Sequence, residues 1–209
     1  MPMQKFFLSI LILIISNLVI AQDNNSYDLH GFNVNFSLLT EAQKKAIYPS
    51  YLSQVKIIEA VGLPNEILVM MKTIPIVADP SFSAPGTSAL FSGAKNPPWG
   101  EVRTNLKPMP NNRPILLHEM LHAYDWNTWH FKNEIVNGAY QRAISEDLYP
   151  DSRGSHFLAN AREFFAISGT IYLFGTIQQA PYNCDILAKT QERYLRFMEK
   201  LYGKHTNCE

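Results

Sequence analysis

The sequence predicts an α+β fold in which a small N-terminal sheet precedes a mainly helical second half, and three observations predict it. Residues 66–78 collect Ile67, Leu68, Val69, Ile74, Ile76 and Val77, the β-branched and apolar composition of one or two strands. Beyond Arg113-Pro114, helical patterns fill residues 131–146, 158–174 and 185–201. A long apolar helix opening at Pro114 joins the halves, so a single domain over residues 22–209 is expected to consist of two lobes meeting near residues 114–127.

Residues 1–21 read as a signal peptide rather than as fold. Lys5 supplies a positive charge, residues 6–15 are almost wholly apolar, and Val19-Ile20-Ala21 offers a cleavage site. An uncleaved anchor is the competing reading, because the apolar stretch approaches spanning length. Cleavage predicts a secreted protein, extracellular or periplasmic, without stable membrane association. Eighteen basic residues balance eighteen acidic ones, which excludes a basic field for nucleic acid. Only Cys184 and Cys208 are present; export permits a disulfide between them, and two free thiols is the alternative.

Taken in order, residues 22–39 are either a short prosegment or a first strand. Residues 40–61 are expected to be helical, broken at Pro49 with Ser50 as a new N-cap and Gly62 as the stop. Pro75 places its strand at a sheet edge. Residues 79–99, rich in Pro, Ser and Gly, predict a loop, and residues 100–106 a short strand.

The chemistry sits in His118-Glu119-Met120-Leu121-His122. Two imidazoles four residues apart share one helix face and can grip one metal ion, while Glu119, about 100 degrees round the helix, is placed to act as general base. The pattern arises by chance in fewer than about one in fifty chains of this length. Leu116, Leu117 and Leu121 argue further against a helix that merely displays surface histidines, since buried ionisable groups are costly without a purpose.

A catalytic zinc needs three protein ligands and an open position. The metzincin pattern would put glycine at 125 and histidine at 128, where Asp125 and Thr128 stand, so that class is rejected. Asp125 suits a supporting acceptor that orients a ligand better than direct ligation. Glu163 lies among apolar neighbours in Asn160-Ala161-Arg162-Glu163-Phe164-Phe165-Ala166, where a cation would explain its burial.

These residues resemble the gluzincin metallopeptidases, and more narrowly the paired motifs of the anthrax lethal factor catalytic domain and the small secreted Pro-Pro endopeptidases. The likeness is carried by residues 118–125 and 160–166 and covers roughly residues 100–174. It implies that Glu163 completes a Zn2+ site with His118 and His122. It also implies a zincin-like fold, with a small sheet packed on an active-site helix and a helical lobe. Where those relatives carry a tyrosine seven residues before the ligand glutamate, this chain has His156, which takes the role of oxyanion donor; Tyr149 is the other nearby donor.

The function expected is that of a secreted zinc-dependent endopeptidase, a monomer acting on protein or peptide, with Glu119 and His156 as catalytic residues. An extended substrate would add to the strand at residues 100–105, and Trp99 either walls the site or anchors its loop. The alternative is an exported zinc-binding or toxin-like interaction protein that hydrolyses nothing.

Overall fold

The computed structural model describes residues 26–83 and 86–208, so the proposed signal peptide lies outside the described residues. Strands β1 (Ser26–Leu29) and β2 (Phe32–Asn35) form an antiparallel hairpin. Its turn residues His30 and Gly31 both have positive φ, the twist that a two-residue hairpin requires. Phe32 and Val34 are fully buried, which makes this segment part of the sheet.

Helix α1 (Glu41–Ala60) begins at Thr40, whose Oγ1 accepts from Gln43 N while Gln43 Oε1 accepts from Thr40 N. It runs through Pro49 without the expected break. Burial of Ile47, Tyr51, Val55 and Ile58 along one face offsets a hydrogen bond that the proline cannot donate.

Of the one or two strands expected over residues 66–78, only β3 (Ile76–Ala78) forms, and α2 (Asn65–Lys72) occupies the first part of that segment. Ile67 and Met71, four apart and both buried, supply the helical face that composition alone concealed. β3 is also central rather than an edge, parallel to β2 and to β5 (Gly100–Thr104). Pro75 stands just before it, where its carbonyl accepts from Val102 N at 2.9 Å and no donor is missed.

The expected loop at residues 79–99 contains β4 (Ala89–Gly93), antiparallel to β5. The sheet order is β1-β2-β3-β5-β4, which puts β4 at the edge and β5 inside. Ala-Leu-Phe-Ser-Gly has little intrinsic strand preference, so pairing with β5 and packing on the next helix hold it extended.

That helix, α3 (Ile115–Trp129), crosses the middle of the molecule, followed by α4 (Glu134–Ser145) and α5 (Ala161–Phe174). The last expected helix divides into α6 (Asp185–Thr190) and α7 (Glu192–Tyr202). The break falls at Gln191, whose backbone leaves the helical region and whose buried amide donates to Ala139 O at 3.0 Å. Cys184 and Cys208 form a disulfide that ties the start of α6 to the chain's end. The architecture is α+β, a mixed five-stranded sheet with helices.

β4 and α3 pack tightly at Gly93, where an added Cβ would lie 2.6 Å from the Trp126 ring. Trp126 is itself held by its Nε1 donating to Ala94 O at 3.1 Å. Gly93→Ala should therefore destabilise the protein by about 1–3 kcal/mol in denaturant unfolding. An unchanged midpoint would mean that β4 does not pack on α3 in this way.

Candidate metal centre

Helix α3 starts at Pro114 and carries His118 and His122 one turn apart on the face turned towards α5. Their rings meet edge to face, with centroids 4.7 Å apart, and the two Nε2 atoms lie 3.1 Å from each other. Glu163 enters from the first turn of α5. There Asn160, as N-cap, accepts from Arg162 N and Glu163 N at 3.0 and 3.1 Å and fixes where the glutamate leaves the backbone. Phe164 and Phe165 beside it are fully buried, which pins the helix and leaves Glu163 facing α3.

Glu163 Oε2 lies 3.3 Å from His118 Nε2 and 3.3 Å from His122 Nε2. With the 3.1 Å edge between the imidazoles, these atoms form a nearly equilateral triangle. Ligands of a tetrahedral zinc at about 2.0–2.1 Å stand about 3.3–3.4 Å apart, so the triangle suits such an ion. Glu163 Oε2 is also buried without a properly directed hydrogen bond, although three imidazole nitrogens crowd it. Three ligand atoms that converge on a common point, one of them a buried carboxylate oxygen with no directed hydrogen bond, are what a cation would resolve.

The third crowding nitrogen is His156 Nε2, 2.9 Å from Glu163 Oε2. His118, His156 and Glu163 offer ligand atoms within 4.8 Å of one another and could hold a metal by themselves. Two overlapping trios therefore share His118 and Glu163. They differ in setting: the His122 side chain is 9% exposed on a long helix, that of His156 55% exposed on the short 3-10 turn His156–Leu158. Phe157, fully buried and stacked on Phe164 at 4.9 Å, anchors that turn. Tyr149, the other donor considered, is buried edge-on against Phe157 and does not line the cleft.

Glu119 is buried, and its Oε2 accepts from the backbone N–H of Phe91 on β4 at 2.8 Å. Burial pushes its carboxyl above the ordinary range, against the lowering influence of His118 and of the Phe91 N–H. Burial acts on Glu163 in the same sense, but His118 and His122 outweigh it and hold that carboxyl well below the usual range. The two glutamates are thus set to opposite tendencies within one site.

Asp125 departs from its expected part. No hydrogen bond joins it to either imidazole of α3, its Oδ1 is buried without a partner, and His118 Nδ1 is likewise unpartnered. Burial pushes its carboxyl up to about 7, against the pull of Arg162. The His118 ring instead packs edge to face on His122, with its Nε2 turned to His122 and Glu163.

All five residues, His118, Glu119, His122, His156 and Glu163, line one cleft of about 400 Å³. Its walls also include Leu90 of β4, Arg113 and Gln178, none of which carried a motif in the sequence. Trp99, expected at a wall or in the core, is 46% exposed and lines neither.

No protein-family model matches the chain, and no curated protein does. Among solved structures the chain is similar to a Pro-Pro endopeptidase (PPEP-2) from Paenibacillus alvei, at 15% identity with a TM-score of 0.47, over 77% of this chain and 99% of that one. That overlap is too loose to assign the chain to a family.

The two trios make separable predictions. Purified protein should bind one zinc per chain. His118→Ala, His122→Ala and Glu163→Ala should each weaken metal affinity by more than about 100-fold, since loss of even an outer partner costs 10- to 100-fold. His156→Ala should keep its zinc by mass spectrometry of the dialysed protein. Loss of zinc in His156→Ala with retention in His122→Ala would assign the other trio.

Proposed function

We propose that the protein is an exported zinc-dependent endopeptidase, and the observation that carries this reading is the convergence of His118 Nε2, His122 Nε2 and Glu163 Oε2 beside the Glu119 carboxylate in one open cleft. The donor set, two imidazoles and one carboxylate, matches zinc's preference for nitrogen and oxygen ligands with one position left open. When bound there, the ion supplies Lewis acidity and makes a water acidic near neutral pH.

The chain's own residues do the remainder. Glu119 takes the proton of the attacking water on its carboxylate and delivers it to the leaving amine nitrogen, so that no covalent enzyme intermediate is needed. Its bond to Phe91 N–H ties this base to the strand along which a substrate would lie. His156 Nε2, at the exposed rim of the same cleft, donates to the oxygen that gains charge when the carbonyl is attacked. A peptide fits as substrate because β4 is an edge strand with Ala89 and Leu90 on the cleft wall, able to align an extended chain; this replaces β5, which is covered on both sides.

Export is supported by the Cys184–Cys208 disulfide, a bond that persists in oxidising compartments. No helix among the described residues is long and apolar enough to cross a membrane.

Glu119→Gln separates this reading from a zinc-binding protein without chemistry. The variant should keep its zinc and lose about 10²- to 10⁴-fold in kcat on a quenched-fluorescence peptide library. Equal turnover by both proteins would falsify the role given to Glu119.

A further inference from the structure

The cleft holds one charge that the proposed reaction does not use. Arg113 lines it just ahead of α3, and among the described residues its guanidinium makes no ion pair and no hydrogen bond. The cleft's two carboxylates are both engaged elsewhere, Glu119 by the Phe91 N–H and Glu163 by the imidazoles. Its positive charge is therefore unbalanced within the site.

The backbone from which Arg113 springs is held firmly. Gln54, fully buried on α1, donates from Nε2 to Pro110 O at 2.9 Å and to Arg113 O at 2.7 Å, and its Oε1 accepts from Leu116 N at 3.1 Å. Arg113 O also accepts from Ile115 N at 2.8 Å, and Pro114 restricts the next φ. A buried side chain thus commits three hydrogen bonds to fixing the segment that presents one exposed arginine. Such fixing lowers the ordering cost of binding, and a planar guanidinium matches a carboxylate with two parallel bonds.

We propose that Arg113 selects substrates by binding a carboxylate near the scissile bond, either an acidic side chain or the free C-terminus. The assignment deepens the peptidase reading and rests on it. Quenched-fluorescence peptides made in pairs test it, with glutamate or glutamine at one position at a time, and each as free acid and as C-terminal amide. The zinc-loaded wild type should favour the carboxylate member by about ten- to hundredfold in kcat/KM, as expected for a hydrogen-bonded charge. Arg113→Gln should erase that ratio. A glutamate preference identifies a side chain and a free-acid preference identifies the terminus.

Cleavage that ignores the carboxylate, or a preference that survives in Arg113→Gln, overturns the assignment and leaves the peptidase reading standing. Failure to cleave any peptide removes the peptidase reading instead. Binding of the same pairs to Glu119→Gln, with and without Arg113→Gln, followed by fluorescence anisotropy, then decides the matter. Tighter binding of the acid that vanishes with Arg113 supports the proposal, and equal affinities overturn it.

Discussion

The close approach of α3 and α5 forces one carboxylate oxygen against two imidazole nitrogens, and the rest of the site is arranged around that meeting. Small and aromatic residues share the work of enforcing it. Gly169 lets the helices come together, since a Cβ there would stand 3.1 Å from Leu121 Cδ1. Trp129 of α3 meets Phe165 of α5 edge to face at 5.9 Å, and Phe164 packs on Tyr194 at 5.1 Å to brace α5 from behind. An acceptor such as Glu163 Oε2, buried without a directed hydrogen bond, costs about 1–3 kcal/mol. Aromatic burial of this extent sustains that cost, and a cation would remove it.

The sheet's contribution is a wall rather than a ligand. β4 is short, lies at the edge, lines the cleft with Ala89 and Leu90, and bonds to Glu119 through the Phe91 N–H. That bond links the base proposed for the reaction to the strand proposed to hold the substrate. The remaining donor, His156, depends on a different anchor, the buried Phe157 that follows it. Base, donor and metal ligands thus come from elements whose positions are set by separate parts of the core, a division that holds a multi-residue site in register.

Much of the site was legible because its signals are local. The spacing of His118 and His122 needs only one helical turn, and Glu163 stands out as an acid followed by two phenylalanines in an apolar helical segment. The second half of the fold was legible for the same reason, helical periodicity being a short-range pattern. The first half was less so. Ile67 and Met71 make a helix from residues whose composition suggests strand, Pro49 is tolerated because the face around it is buried, and β4 pairs Phe91 with Val102, a partner that the local sequence does not announce. Asp125 misleads in another way: its spacing from His122 suits a supporting acceptor, yet its oxygen turns into a buried, unpartnered position. Arg113 carries no motif at all, and only its place in the cleft and the Gln54 bonds beneath it mark it.

Crystals of the mature protein grown with zinc and measured on both sides of the zinc absorption edge would test the centre most directly. One anomalous peak is expected per chain, at about 2.0–2.2 Å from His118 Nε2, His122 Nε2 and a Glu163 carboxylate oxygen. A peak bonded to His156 in place of His122, or no peak between α3 and α5, would contradict the proposed centre.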